Sequence, residues 1–488
     1  MSNFVYKTFR IQSFQSGVNE YYTDAMLKPY EAVRAVNCNT IDGSLKSIVE
    51  PSESLVMPNK VVSSIVYYGK DKEELFLQCN DKIYDKDSTE RYTVTEDKLD
   101  YLNFEYKGER VLIGCSSTAS PFLYNGTEFK KLKNRRISYN DTGAIDGYID
   151  ANGVKKATEA EIDTYAPKGE FMELHYDRLW IAGDKDNPDR VYFSTAGLNG
   201  ADIEDFTVPL ADEEEVNMHG GFIDVRSYDG GKIIGMKVIF NSVVLFKNKT
   251  AYKIYGSNPS NYQLVEIFSC NGAIADNSIC VGDNGAYFLN KDGIYYFDGT
   301  NTTLISQKIK NTIAKMNKNY ASKSVATYFN SKYYIAIPLE DSTENNCLII
   351  YDTINKSFMT YELGNISSFI EYNNELCYTS ENKMYNINKG ETYKPMLWET
   401  PNYDFGIKNA RKMSEYIYFR GKGEGKVKFT LQSERKAKTL ELKLDGTERL
   451  YKKKLKNKGR VFKLLIENID NSNIEIISPE IVFEIDED

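Results

Sequence analysis

"GAYFLNKDGIYYFDGTNTTLI", Gly285–Ile305, holds two short apolar and aromatic runs on either side of Lys291-Asp292-Gly293, followed by a second Asp-Gly turn at Asp298-Gly299. Runs of this length around such a pair read as an antiparallel hairpin, because the glycine accepts the backbone conformation that a tight turn demands. The unit recurs loosely in "LFLQCNDKIYD" (Leu75–Asp85), "VLIGCSSTASPFLYNGTEFKKL" (Val111–Leu132), "RLWIAGDKDNPDRVYFS" (Arg178–Ser194) and "VVLFKNKTAYKIYG" (Val243–Gly256). It returns in "YYIAIPLEDSTENNCLIIYDTINKSFMTYEL" (Tyr333–Leu363) and "ELCYTSENKMYNIN" (Glu375–Asn388), giving seven hairpins in all. A spacing of about 40–50 residues per unit suits a four-stranded propeller blade. The expected fold is all-β: a β-propeller of six or seven blades with a C-terminal antiparallel β-sandwich. A solenoid would repeat at a shorter and stricter period, and separate sandwiches would not reuse one strand-turn-strand motif so often.

Composition agrees with many half-buried strands. The 488 residues include 37 Tyr and 24 Phe but only 2 Trp and 12 Pro, and a tyrosine packs its ring on a pleated sheet while its hydroxyl reaches water. The opening "MSNFVYKTFRIQSF" lacks the basic, apolar and small-residue segments of a secretory leader, so synthesis in a cytosol is expected. No window approaches 18 uncharged apolar residues, so no membrane span is expected. Seven cysteines lie scattered without C-x-x-C spacing and read as reduced, mostly buried small hydrophobes.

Three regions follow: 1–50 as an N-terminal arm with the first strands, 51–395 as the propeller, and 396–488 as the sandwich. The propeller carries a polar insertion near 134–169. Helix is expected only at "ATEAEIDTYA" (Ala157–Ala166) and at "ISQKIKNTIAKMNKNY" (Ile305–Tyr320), where Ile305, Ile309, Ile313 and Met316 fall at helical spacing. In the last region Val427, Phe429 and Leu431, then Leu440, Leu442 and Leu444, alternate as strands with one wet face do. Charge is uneven: residues 408–463 hold 19 Lys and Arg against 6 Asp and Glu, or +13, which leaves −22 of the net −9 to the rest of the chain.

Catalytic constellations have little support. The two histidines, His175 and His219, limit triads and histidine-based metal sites; both read as strand or turn residues. "GKGEG" at Gly421 lacks the strand-turn-helix setting of a phosphate cradle and reads as a hairpin turn. "DKDNPDR" (Asp184–Arg190) lacks the central glycine and distal glutamate of an EF-type calcium loop and reads as a solvated hairpin loop. The lysine-rich stretch around Lys452, Lys453, Lys454, Lys456, Lys458 and Arg460 suits either phosphates or an acidic protein surface.

Three segments together resemble a known family. "FQSGVNEYYTDAMLKPYEAVRAVNCNTIDGSLKSI" (Phe14–Ile48), "HYDRLWIAGDKDNPDRVYFS" (His175–Ser194) and "GRVFKLLIENIDNSNIEIISPEIVFEI" (Gly459–Ile485) resemble the opening, a middle hairpin and the closing strands of the tail nozzle, or packaged-DNA stabilisation, family of short-tailed bacteriophages. About a fifth of the chain is covered; the acidic "ADEEEV" (Ala211–Val216) and the insertion after Asn134 depart from the pattern. The resemblance implies a propeller protein that forms a ring, usually six-fold, on the DNA exit axis below the portal. It implies a virion protein of tail or neck, made in the host bacterial cytoplasm, with no enzymatic activity, cofactor or metal. The implied partners are other copies of itself in a ring of six or twelve, neighbouring portal, neck or tail proteins, and DNA contacted non-specifically in the channel, but no membrane. The residues expected at assembly interfaces are Arg178, Trp180, Asp189 and Arg190 in the shared hairpin, and Lys452, Lys453 and Lys454 as a charged docking surface. Trp180 also reads as a core residue. Two other functions suit the same fold: a receptor- or glycan-binding propeller of the tail tip, and a propeller glycosidase.

Overall fold

The computed structural model describes residues 5–23, 26–197, 200–208, 219–226, 231–268 and 270–486. Seven antiparallel four-stranded meanders follow one another: Val61 to Thr93, Asp100 to Lys131, Phe171 to Asp224, Gly235 to Glu266, Cys280 to Leu304, Val325 to Tyr361, and Ser368 to Asn386. The sixth is one end of a 14-stranded sheet, and the seventh takes its fourth strand, Ser52–Val56, from near the start of the chain. Each of the seven hairpins read from the sequence supplies the second and third strands of one sheet. Those second strands are apolar on both faces because both faces are covered. Arg178–Ala182 and Gly285–Asn290 are buried at every position, as is Cys347–Asp352, the third strand of the sixth sheet.

The first strands of these sheets are neighbours in space. Val61–Tyr68 lies against both Ser368–Tyr372 and Asp100–Tyr106, and Phe171–His175 lies against Asp100–Tyr106 and Gly235–Ile239. Gly235 abuts Ile279, just ahead of the fifth sheet, whose first strand Cys280–Gly282 contacts Val325–Phe329; that strand in turn meets Ser368–Tyr372.

The rest of the 14-stranded sheet is built from both ends of the chain. Its organising element is the strand Arg411–Ser433, 23 residues long. The first half pairs with Arg449–Gly459 and Asn473–Asp486; the second half pairs with Ala437–Asp445 and Phe462–Asn468. "GKGEG" is therefore no hairpin turn but the middle of this strand. Gly423 has φ +101° there, and a Cβ on it would stand 2.1 Å from the Asn473 carbonyl oxygen, so the strand turns between its two sets of partners where only glycine fits. Val5–Arg10 pairs with Glu480–Ile485, and Leu45 and Lys46 pair with Ile476 and Glu475. Leu397–Glu399 bridges Arg34–Val36 and Phe462–Asn468, and a single parallel pair, Val36 with Thr360, ties this end body to the sixth sheet. One apolar core crosses that seam: Phe14 meets the Trp398 ring edge-on at 4.9 Å, in the same cluster as Ile335, Ile349 and Phe358 of the sixth sheet.

Both expected helices shrink. Ala157–Ala166 contains only a 3-10 turn, Glu159–Glu161, because Thr164 and Ala166 give their backbone to Asn134 and Leu132 instead. Residues 305–320 form a 3-10 turn, Ser306–Ile309, and one helical stretch, Lys310–Ala314, with Ile309, Ile313 and Met316 buried as the spacing requires. The polar insertion folds as a three-stranded sheet between Arg135 and Lys156.

Candidate functional site

The four residues singled out in the third sheet divide into two pairs. Arg178 and Trp180 are 1% and 0% exposed. Arg178 Nη1 donates to the carbonyls of Ser194 (2.7 Å) and His219 (2.6 Å), which clamps the sheet to the segment before its last strand. Trp180 Nε1 donates to the His175 carbonyl at 3.2 Å, and its ring packs on Phe193 and Tyr262. Neither side chain reaches a surface where a partner could touch it; the core reading of Trp180 is the one its burial fits. Asp189 and Arg190 lie nearer solvent. Asp189 Oδ1 accepts from the Lys247 ammonium at 2.9 Å, a lysine whose side chain is 0% exposed. Arg190 grips Asp224 with two bonds, Nε to Oδ1 at 2.7 Å and Nη2 to Oδ2 at 3.2 Å, and its guanidinium covers the Phe222 ring at 3.7 Å.

The loop Asp184–Arg190 is less solvated than its charges suggest. Asp184 is buried and accepts from Asn187 Nδ2, Tyr192 Oη and the Asp186 backbone. Its carboxylate is committed to holding the turn, and among the described residues no group of three or more His, Cys, Asp or Glu is placed for a metal ion. His175 is buried against Tyr176, and burial lowers its pKa. The acidic stretch 211–216 lies outside the described residues.

Lys452, Lys453 and Lys454 stand exposed in a regular strand, Arg449–Gly459, rather than in a loop. Among the described residues that strand pairs only with Arg411–Ser433, and lysines are a common means of blunting an unpaired sheet edge. The Lys452 ammonium sits over the rings of Tyr416 and Tyr418, at 4.4 and 5.3 Å, so strand pairing places aromatics beside the lysines that linear sequence keeps over thirty residues away. Beside this edge is a groove of about 370 Å³ lined by Arg411, Arg435, Lys436, Lys438, Lys456 and Lys458.

A second polar feature, not anticipated from sequence, is a cavity of about 650 Å³ lined by residues in or just before the first strands of all seven sheets. Its charges are of both signs: Lys60, Lys98, Lys237 and Lys323 stand among Asp97, Asp100, Glu170, Asp276 and Glu344. Lys237 pairs with Glu173 at 2.7 Å and Lys323 with Glu344 at 2.9 Å. Burial pulls Lys237 down, but the carboxylates of Glu173 and Asp100 outweigh it and hold the ammonium protonated. Burial lowers Lys98, with Asp276 and Asp100 opposing only in part, while burial raises Glu170 despite Lys232 at 3.7 Å. The only sequence signal for this cavity was a charged residue at or before the opening strand of several repeats, which looks the same as an ordinary solvated strand end.

No family model and no curated protein sequence matches the chain. Among solved structures it is similar to PorZ, described as an essential bacterial surface component of the type-IX secretion system of Porphyromonas gingivalis, at a TM-score of 0.34 and 9% identity. The match covers 83% of this chain and 46% of PorZ, so the chain spans less than half of that protein's length. A likeness at this level carries no argument about fold or activity.

Proposed function

We propose that the chain is a non-enzymatic structural protein of a bacteriophage tail or neck, a subunit of a ring on the DNA exit path that links portal-side and tail-side parts. The observation that carries this reading is the meeting of the two resembling end segments. Phe14–Ile48 contributes Leu45 and Lys46, which pair with Ile476 and Glu475 of the closing segment Gly459–Ile485. Two stretches more than four hundred residues apart thus make one unit.

In the same reading the seven sheets close into a seven-bladed propeller. Two features support closure: their first strands share one cavity, and the seventh sheet is completed by Ser52–Val56, which would lock the last blade to the first. A cavity of about 650 Å³ cannot pass a duplex whose major groove alone is about 12 Å wide. DNA would therefore run between copies, along their outer walls. An acidic wall lets it slide, because it offers few Lys or Arg side chains to take the place of the counterions condensed on the phosphates.

Imaging of intact virions together with the mass of the purified particle tests the proposal. A closed ring of six or twelve copies on the tail axis is expected. A monomer with affinity for cell-wall glycan would instead support a receptor-binding propeller, and sugar hydrolysis lost on Glu170→Gln would support a glycosidase; either would sink the ring.

A further inference from the structure

The edge strand Arg449–Gly459 alternates with a period of two: Tyr451, Leu455, Asn457 and Gly459 are buried, while Lys452, Lys454, Lys456 and Lys458 are exposed. The four lysines share one face of the strand, in a row about 20 Å long at the rise of an extended chain. Register fixes which face this is. Lys452 stands opposite Tyr418, Lys454 opposite Tyr416 and Lys458 opposite Met413, whereas Lys453 stands opposite Ile417 and Tyr451 opposite Phe419, both of which are in the core. The row is therefore on the outward face of the sheet, with Lys453 on the inward side. An inward charge already blunts a free edge, so edge protection does not account for the outward row.

Tyr416 and Tyr418 form a second row behind the first. Both are half-buried, and their ring centroids lie 6.3 Å apart under the Lys452 ammonium. The carboxylates of this face are few. Glu415, at the bulge of the long strand, is paired with Lys456 at 2.9 Å. Glu480 and Glu484 lie one strand further in, opposite Tyr418 and Met413, and Arg10 stands across from Glu480 on the strand beyond. At one end of the row, Asp445 and Glu448 pair with Arg449 and Arg420. At the other end the row runs into the basic groove, which adds Arg411, Arg435, Lys436 and Lys438. The carboxylate there, Glu434, is held by the backbone N–H groups of Arg460 (2.9 Å) and Val461 (3.2 Å). Lys452, Lys454, Arg435, Lys436 and Lys438 have no ion-pair partner among the described residues.

We propose that this face binds single-stranded nucleic acid, with phosphates along the lysine row into the groove and bases on Tyr416 and Tyr418. A basic track beside aromatic rings is the combination that holds a single strand without reading its sequence, because every base has a π-face to stack. A duplex keeps its bases stacked inside, and an acidic protein surface would engage the lysines while leaving the tyrosines idle. The cation over the two rings is no obstacle: at an exposed site that contact is weaker than base stacking, and a displaced Lys452 ammonium finds a phosphate beside it. The inference goes beyond the ring reading and does not rest on it, since the whole face belongs to one copy.

The test titrates the full chain against a fluorescent oligothymidylate of about 12 nucleotides, a length within the usual span of a single-strand site, and reads anisotropy between about 50 and about 200 mM salt. Affinity should fall with salt. Lys452→Gln with Lys454→Gln should reduce the slope of log affinity against log salt by about 1.4, two phosphate contacts at about 0.7 each, and leave the urea midpoint unchanged. Tyr416→Ala with Tyr418→Ala should weaken binding by about tenfold or more at an unchanged slope, whereas Tyr416→Phe with Tyr418→Phe should bind as the parent does, which separates stacking from loss of the fold. No binding at the lowest salt would overturn the proposal, as would an unchanged slope in the lysine variant or full affinity in the alanine variant. So would a DNA duplex or polyglutamate that competes as well as the unlabelled oligonucleotide, which would make the face a general anion surface. Sedimentation of the same samples keeps the two readings apart: binding by a monomer leaves this inference standing and sinks only the ring.

Discussion

The seven sheets and the end body are built on opposite principles. In the sheets nearly every strand pairs with its neighbour in sequence, across turns a few residues long. In the end body Tyr6 pairs with Glu484, Trp398 with Ala35 and with Ile466, and one strand serves four partners. The first arrangement can form locally, sheet by sheet; the second exists only when distant segments meet, and loop closure makes such contacts slower to form. The two tryptophans fall one on each side of this divide, which makes the comparison measurable.

The largest effect is expected at Trp398, 0% exposed where the end body meets the sixth sheet. Trp398→Ala should cost about 3–5 kcal/mol, read as a fall in urea midpoint. With Trp180 as the remaining fluorophore, a coincident shift by fluorescence and circular dichroism would mean that the two regions unfold together. Separate transitions would mean that they are independent units.

Gly423→Ala should come next. Backbone strain at φ +101° costs about 1–3 kcal/mol, and the clash with the Asn473 carbonyl adds to it. If the regions are independent, the loss appears only in the end body's transition; an unchanged midpoint would mean that the strand has another way to turn.

Asp189→Asn probes the local side. Lys247 is buried against Asp189, but Asp189 is itself partly exposed, so a loss of about 1–2 kcal/mol is expected with no change in self-association. A change in association at unchanged stability would return Asp189 to an interface role.

The smallest effect is a pH dependence. Arg190 lowers the Asp224 pKa through its hydrogen bonds, with burial opposing. The stabilisation is therefore present above the ordinary carboxylate range and fades as pH falls through the depressed value. On a partly exposed pair it should amount to roughly a few tenths of a kcal/mol. Comparing acid titrations of the parent and Arg190→Gln measures it; identical curves would mean that the pair contributes nothing.

What sequence revealed tracks the same divide. The hairpin at Gly285–Phe297 is legible because its apolar runs and its turn lie within one short window, and the other six share that property. "GKGEG" was misread as a turn, and the lysine run gave no sign of being a strand, because glycines and lysines are abundant in both loops and edge strands. Only the pairing of Lys452 with Tyr418 across the long strand separates the two cases. Ala157–Ala166 has good helix propensity, yet its backbone is claimed by residues 132–134, a tertiary preference that no local pattern carries. At the candidate sites, Arg190 was found but its partner Asp224 was not, since Asp224 lies 34 residues further along the chain and on a different strand.

The strand Ser52–Val56 leaves the ribosome well before its partner Lys383–Asn386, which is made about 330 residues later. At about 5–20 residues per second it must wait roughly 20–70 s as a lone extended segment, exposed to other nascent chains and to proteases. Arrested nascent chains ending before residue 368 should be cleaved at 52–56, and those extended beyond the end of the seventh sheet should resist. Translation speed, more than final stability, would then govern how much of this protein is recovered intact.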